Sequence, residues 1–308
     1  MTQEILPHIY KTEIPLPGNP LKSINSYLIR NSDRSLMIDT GLNQTECMDA
    51  MQAGLGKLGV NLNDTDFFIT HLHADHYALL PRLVTDSSRV YLNQPDAERH
   101  AQGGILEEML SQARVHGFPE RELQSALSNH PGNRYGARLT MPLTMVHQGD
   151  TIEMGSYTFH CLETPGHTRG HMCLYEPEKK ILFSGDHLLG DITPNIQAWS
   201  DGWNPLREYL SSLDKVYELD VEVVLPGHRS VFTNFKERIR ELQQHHSKRA
   251  EEVLTILEAG AQNAFQVASQ MSWDIVSESW DLFPIPQKWF ATGEALAHLV
   301  FLESQRLV

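Results

Sequence analysis

Apolar positions along the chain fall into two spacings. Short runs at residues 25–29 and Ser35–Ile38 read as strands, with Asn31-Ser32-Asp33 as the turn between them, and residues 1–40 share this strand character. Over Thr45–Leu58 the spacing lengthens, and Met48, Met51, Leu55 and Leu58 fall on one helical face. Phe67-Phe68-Ile69 and Val90-Tyr91-Leu92 are short buried strands, and Tyr77-Ala78-Leu79-Leu80 is suited to open a helix.

Residues 95–140 change character. Residues 95–110 and 120–127 read as helices joined by Gly117-Phe118-Pro119, and 130–136 reads as a loop. An insertion of this length between site-forming strands suits a lid or a dimer surface. Ordinary packing helices are an equal alternative. Strand spacing returns at 145–146, 151–152, 157–159, 172–175, 180–183 and 221–225. Before the last of these, Asn204 and Pro205 supply an N-cap and a first helical residue for a stripe of Leu206, Tyr209, Leu210, Leu213, Val216 and Tyr217. From about residue 234 the chain is helical and charged, with stripes at Phe235, Ile239, Leu242 and at Val253, Leu254, Leu257, a stop at Gly260, and further helices at 265–271 and 287–302. His245 and His246 lie in this charged stretch and read as surface residues. The division is an α/β domain over 1–234 and a helical segment over 235–308.

Composition narrows the class. The 308 residues are 41% hydrophobic, and no apolar run nears the ~20 residues of a membrane span. No basic stretch followed by an apolar one opens the chain, so no signal peptide is expected. Cys47, Cys161 and Cys173 are too few for a disulfide framework, which suits a cytoplasmic protein. A formal net charge of -14 disfavours a nucleic-acid surface.

The candidate chemistry centres on Thr70-His71-Leu72-His73-Ala74-Asp75-His76. Ligands on one helix face recur every three or four residues. Here the spacing suits a tight loop at the carboxyl end of a strand, where open α/β sheets keep their sites. Three further segments repeat one design, a strand followed by glycine and a ligand-type residue, and they present His167, Asp186 and His228. Pro-Gly-His or Gly-Asp alone is a weak signal, whereas all four segments in this order are specific. Together the imidazoles and carboxylates can hold two divalent ions and leave room for water, which a bound zinc brings to a pKa of about 7. Ligation without thiolate suits zinc, iron or manganese.

These residues resemble the metallo-β-lactamase superfamily. The likeness covers roughly residues 20–230 and rests on Thr70–His76, Thr164-Pro165-Gly166-His167-Thr168-Arg169-Gly170-His171, Ser184-Gly185-Asp186, Pro226-Gly227-His228 and Asp39-Thr40-Gly41. It implies a four-layer αββα sandwich with a dinuclear metal site at one edge. By that likeness His71, His73 and His167 would bind the first metal, Asp75, His76 and His228 the second, and Asp186 would bridge them. Asp39 and His171 would support the ligands from behind, and His187, next to the bridging aspartate, would meet substrate or stand behind the site as a plain polar neighbour. Asp75 would also orient a metal-bridging hydroxide.

Within the superfamily the chain resembles the glyoxalase II branch through Thr164 to His171 and its helical C-terminal part. Its layout is also similar to a branch with a helical or winged-helix-like C-terminal segment. His73 stands where flavodiiron members carry glutamate, which points to hydrolysis. The resemblance implies a dinuclear, most simply zinc-dependent, hydrolase of a small ester, thioester or lactone. Arg169 or Arg229, each close after a ligand histidine, would meet the tail of a small anionic or neutral carbonyl substrate. The alternatives are an endoribonuclease or phosphodiesterase, and a non-catalytic metal-binding regulatory protein. The expected partners are a small-molecule substrate and a second copy of the chain, with neither nucleic acid nor membrane.

Overall fold

The short apolar runs assemble into two sheets. The structure, a computed structural model, describes residues 1–200, 202–260, 263–274 and 277–308. The chain begins with β1 (Thr2–Leu6), β2 (Ile9–Pro15), β3 (Ser23–Arg30) and β4 (Ser35–Ile38), and α1 (Thr45–Leu58) crosses to β5 (Thr65–Phe68). The single turn α2 (Ala74–Tyr77) and β6 (Val90–Asn93) follow. Next come α3 (Gln94–Gln102), α4 (Ile105–Val115), α5 (Glu120–Asn129), α6 (Pro131–Tyr135) and β7 (Thr144–Val146). The second half holds β8 (Thr151–Met154), β9 (Tyr157–Glu163), β10 (Met172–Glu176), β11 (Ile181–Gly185), α7 (Pro205–Tyr217) and β12 (Val223–Pro226). It ends with α8 (Phe235–Glu258), α9 (Ala264–Ala268) and α10 (Ile285–Ser304).

Among the described residues one sheet has seven strands in the order β1 to β7 and the other five in the order β12-β11-β10-β9-β8. β4 to β7 pair in parallel, as do β11 and β12, so these strands point their carboxyl ends the same way within each sheet. β4 and β5 are buried along their whole length, as parallel strands covered on both faces must be. Between the sheets Ile29, Ile38 and Phe68 share a core with Phe159, Leu174 and Phe183, and Tyr27 meets Phe183 edge to face at 5.3 Å. α1 covers the outside of the first sheet with Met48, Met51 and Leu55. α7 and α8 cover the second with Leu206, Leu213, Ile239 and Leu242. The result is the αββα sandwich.

Three local expectations change. The helix expected over 95–110 breaks at Gly103 and Gly104, whose φ values of 67° and 74° favour glycine. The loop expected at 130–136 contains the turn α6. The helix expected to open at Tyr77 ends there: α2 already carries Asp75 and His76 on a helical turn. The C-terminal part also differs from a winged helix, since no strand occurs among the described residues of 235–308.

His246 is a correction of another kind. It is buried, not on the surface, because it continues the Phe235, Ile239, Leu242 stripe by one more helical step. Its ring lies 5.4 Å from Tyr209, and its Nδ1 is 3.3 Å from Nε2 of His298 on α10. The 95–140 segment shares a core with α10 through Ala113, Phe118, Leu123, Ala126, Trp289 and Leu296. A buried ion pair between Lys288 and Glu122, at 3.2 Å, joins the same elements. No helix among the described residues is long and apolar enough to cross a membrane.

Candidate metal centre

The site lies where β5, β11 and β12 end. The chain leaves β5 through Thr70 and His71, reaches His73, and enters α2 with Asp75 and His76. The turn between β9 and β10 brings His167, β11 delivers Asp186, and β12 delivers His228. Three overlapping groups result: His71, His73 and His167; His71, His76 and Asp186; Asp75, His76 and His228. Within each group the candidate ligand atoms all lie within 4.8 Å of one another. The ring centroids of His71 and His73 are 4.6 Å apart, and those of His73 and His167 are 4.4 Å apart. Asp186 sits among the rest, 3.5 Å from Nε2 of His76, 3.5 Å from Nε2 of His167 and 3.6 Å from Nε2 of His228. Gly227 makes this approach feasible, because a Cβ there would lie 2.6 Å from Oδ1 of Asp186 and 2.8 Å from the His76 ring.

The back of four of the rings is tied to oxygen. Nδ1 of His76 is 2.7 Å from Oδ2 of Asp39, that of His167 is 2.8 Å from the Asn195 carbonyl, and that of His228 is 2.8 Å from the Ser23 carbonyl. Nδ1 of His71 is 3.0 Å from the Thr70 hydroxyl, which donates to Asp39. An acceptor behind Nδ1 places the proton there and leaves the Nε2 lone pair facing the site. Those Nε2 atoms, of His71, His76, His167 and His228, are buried without a hydrogen-bond partner, and so is Oδ1 of Asp186. One buried unpaired polar atom costs about 1–3 kcal/mol. With the ring protons at Nδ1, five lone-pair atoms converge on one place, which fits a divalent cation, and the set fits zinc, iron or manganese.

Electrostatics follow the same geometry. Burial pushes His71 and His167 below the usual imidazole range and His73 down to about 3, so their lone pairs stay available. Burial also opposes charge on His76 and His228, but the carboxylates around them outweigh it and raise both. Asp75 is half-buried at the open side of the site. Burial opposes its charge too, yet His76 and His228 hold it down at about 2.

The remaining candidates divide. Asp39 accepts from the Thr70 N–H and hydroxyl as well as from His76, and holds a left-handed backbone (φ 55°) to do so. His171 has both ring nitrogens engaged, Nδ1 with the Thr164 hydroxyl at 2.8 Å and Nε2 as acceptor from the Asp186 N–H at 3.1 Å. His187 is fully buried against Tyr209 and His171, so a substrate contact at this residue is corrected. Arg229 donates to the Pro20 carbonyl, and Arg169 lies over the Trp203 ring. Sequence reasoning missed the parts that orient the ligands. The Asn195 and Ser23 carbonyls carry no side-chain signal, and Asp96 reads only as an acidic residue in a helix's first turn. The loop bearing Asn195 is held by Arg238 of α8, which donates to the Leu189 carbonyl at 2.7 Å and the Ile192 carbonyl at 2.9 Å.

Comparison with known proteins places this arrangement among relatives. The metallo-beta-lactamase superfamily profile matches residues 19–228. The probable metallo-hydrolase YqjP of Bacillus subtilis (strain 168) is 29% identical over 300 residues, 92% of this chain and 88% of the relative. The human acyl-coenzyme A thioesterase MBLAC2 is 28% identical over 223 residues, 68% of this chain and 74% of the relative. The crystal structure of a metallo-beta-lactamase family protein from Thermus thermophilus superposes with a TM-score of 0.83 at 29% identity, covering 98% of this chain and 95% of that one.

Proposed function

The chain belongs to the metallo-β-lactamase superfamily, and on that footing we propose that it hydrolyses a small thioester or ester, lactones included, with two divalent ions, zinc first among them. The observation that carries this reading is the convergence of five unpaired buried acceptors beside the half-buried Asp75. When bound, the ions supply Lewis acidity and a water that ionises near neutral pH. The chain's own residues do the rest. His71, His73 and His167 offer one set of donors, Asp75, His76 and His228 a second, and Asp186 lies between the two. Asp39 and the carbonyls of Asn195 and Ser23 hold the protons of His76, His167 and His228 at Nδ1, so these three rings present a lone pair without rearrangement. The Asp75 carboxylate, half-buried and held in its charged form by His76 and His228, is placed to orient the nucleophile by accepting its hydrogen bond.

A thioester suits this centre best. Thiols ionise near pH 8.5, so a thiolate leaves without a dedicated acid, and the buried histidines here are tied as donors of Nδ1–H. The human relative's name, an acyl-coenzyme A thioesterase, supports the same class. We place the substrate among small molecules because the net charge of -14 opposes a polyanion. A direct test offers zinc-loaded protein acyl-coenzyme A thioesters, aryl esters, lactones, a bis-aryl phosphate and RNA. Thiol release with the highest kcat/KM is expected from a thioester, with loss in Asp186→Ala. Faster cleavage of the phosphodiester or of RNA overturns the assignment.

A further inference from the structure

Asp96 is the third residue of α3, outside every ligand segment, and is only 5% exposed. Its Oδ2 accepts from the Leu72 N–H at 3.0 Å and from the Thr168 hydroxyl at 2.8 Å, and its Oδ1 accepts from the Gly170 N–H at 2.7 Å. Leu72 lies between His71 and His73, and Thr168 directly follows His167. One carboxylate therefore clamps both loops that carry the three-histidine group. Gly170 permits the clamp, since a Cβ there would lie 2.6 Å from the Asp96 nitrogen and 2.8 Å from its Cγ. The group of Asp75, His76 and His228 draws on α2 and the end of β12, and none of these three residues is hydrogen-bonded to Asp96.

We propose that Asp96 is a positioning residue that sets the separation of the His71–His73 loop from the His167 loop, and so fixes the affinity of the three-histidine group selectively. The proposal rests on the reading of the site as a metal centre. Its physical basis is the pairing of acceptors with donors. An asparagine has the same shape but only one acceptor, so in either orientation its NH2 faces an N–H donor and the two loops are pushed apart. Outer partners of metal ligands commonly tune affinity by 10–100-fold.

The test is cobalt(II) titration of chelator-treated protein, read by visible ligand-field absorption and by competition with a chromophoric chelator. His73→Ala in the parent identifies the binding step that belongs to the three-histidine group. Asp96→Asn should weaken that step by roughly 10–100-fold and leave the other within about threefold. Urea denaturation of the metal-free variant checks that it is folded. Thr168→Val, which removes one of the three donors, should weaken the same step by a smaller factor and decides the matter if Asp96→Asn does not fold. An unchanged step, or equal weakening of both, overturns the role of Asp96 while leaving the metal centre standing. Cobalt that fails to bind the parent protein overturns the metal-centre reading and this inference with it.

Discussion

Asp186 and His187 are neighbours in the chain with different surroundings. The Asp186 carboxylate stands among His76, His167 and His228, while the His187 ring packs against Tyr209 at 5.3 Å and His171 at 6.1 Å. Neither ring nitrogen of His187 forms a hydrogen bond among the described residues, although the Ser212 backbone lies beside it. Burial accordingly pushes His187 down to about 3, which leaves it a neutral, aromatic packing group. On the proposed reading Asp186→Ala removes a shared ligand, and it should lower bound metal and reduce turnover by roughly 100-fold or more, beyond the range of an outer partner. His187→Phe should keep the metal and leave stability unchanged or raise it by about 1 kcal/mol, because an unpaired buried polar group is removed. Elemental analysis and urea denaturation of the two variants decide this, and a loss of metal in His187→Phe comparable to that in Asp186→Ala would contradict it.

The elements around the site act through carbonyl oxygens as much as through side chains. Arg238 reaches from α8 to two carbonyls of the 189–192 stretch, and Asn195 a few residues on holds His167. Arg238→Leu should cost about 1–3 kcal/mol, the usual effect of leaving such acceptors unpaired. It should also weaken metal binding through His167, which a chelator competition measures; unchanged affinity would show that the loop holds its shape without α8. A second contact, between α8 and α10, sets a pH dependence. Burial raises Glu294 to about 7, while Arg249, 3.5 Å away, favours its charged form. The unfolded carboxyl releases its proton near 4.5, so between 4.5 and about 7 the folded state binds more protons. Its contribution is therefore full below 4.5 and is lost as pH rises through about 7. Parent stability should fall relative to Glu294→Gln across that window, by about 3 kcal/mol at most. Urea melts of both proteins at pH 5 and pH 7.5 read the difference, and parallel pH profiles would refute it.

These contacts also mark what the sequence could convey. α1 was legible to the residue as Thr45–Leu58 because its apolar stripe is regular, and its end is secured by Gly59 at φ 60°. The gathering of His71, His73, Asp75, His76, His167, Asp186 and His228 was legible because the imidazoles and carboxylates are concentrated in short segments. His246 was not, since a charged helix hides one buried histidine unless the stripe is followed past Leu242. The break at Gly103–Gly104 and the start of α2 were not either, because tertiary contacts decide where short helices begin. Asp96 and Arg238 stayed hidden for a simpler reason. Their partners, mostly backbone groups, sit on loops that lie far away in sequence.

At the scale of the whole molecule, charge separates the remaining readings. The formal net charge is -14, and the cations beside the ligand loops are Arg169, stacked on Trp203, and Arg229, held by the Pro20 carbonyl. A nuclease needs a surface that neutralises successive phosphates, and its binding weakens steeply with salt. Here the long-range field should repel an anionic substrate at low ionic strength, where the Debye length is about 30 Å at 0.01 M, and should fade as it shrinks to about 10 Å at 0.1 M. For an acyl-coenzyme A thioester kcat/KM should therefore rise between these salt concentrations, while a neutral thioester should show little change. We propose that Arg169 attracts the anionic substrate at close range; Arg169→Ala should then raise KM for that substrate more than for the neutral one. Initial rates at several salt concentrations with both substrates test the two statements together. A steep fall of kcat/KM with salt would mean that a local cationic surface outweighs the field of the whole chain, and would return the phosphodiesterase reading to first place.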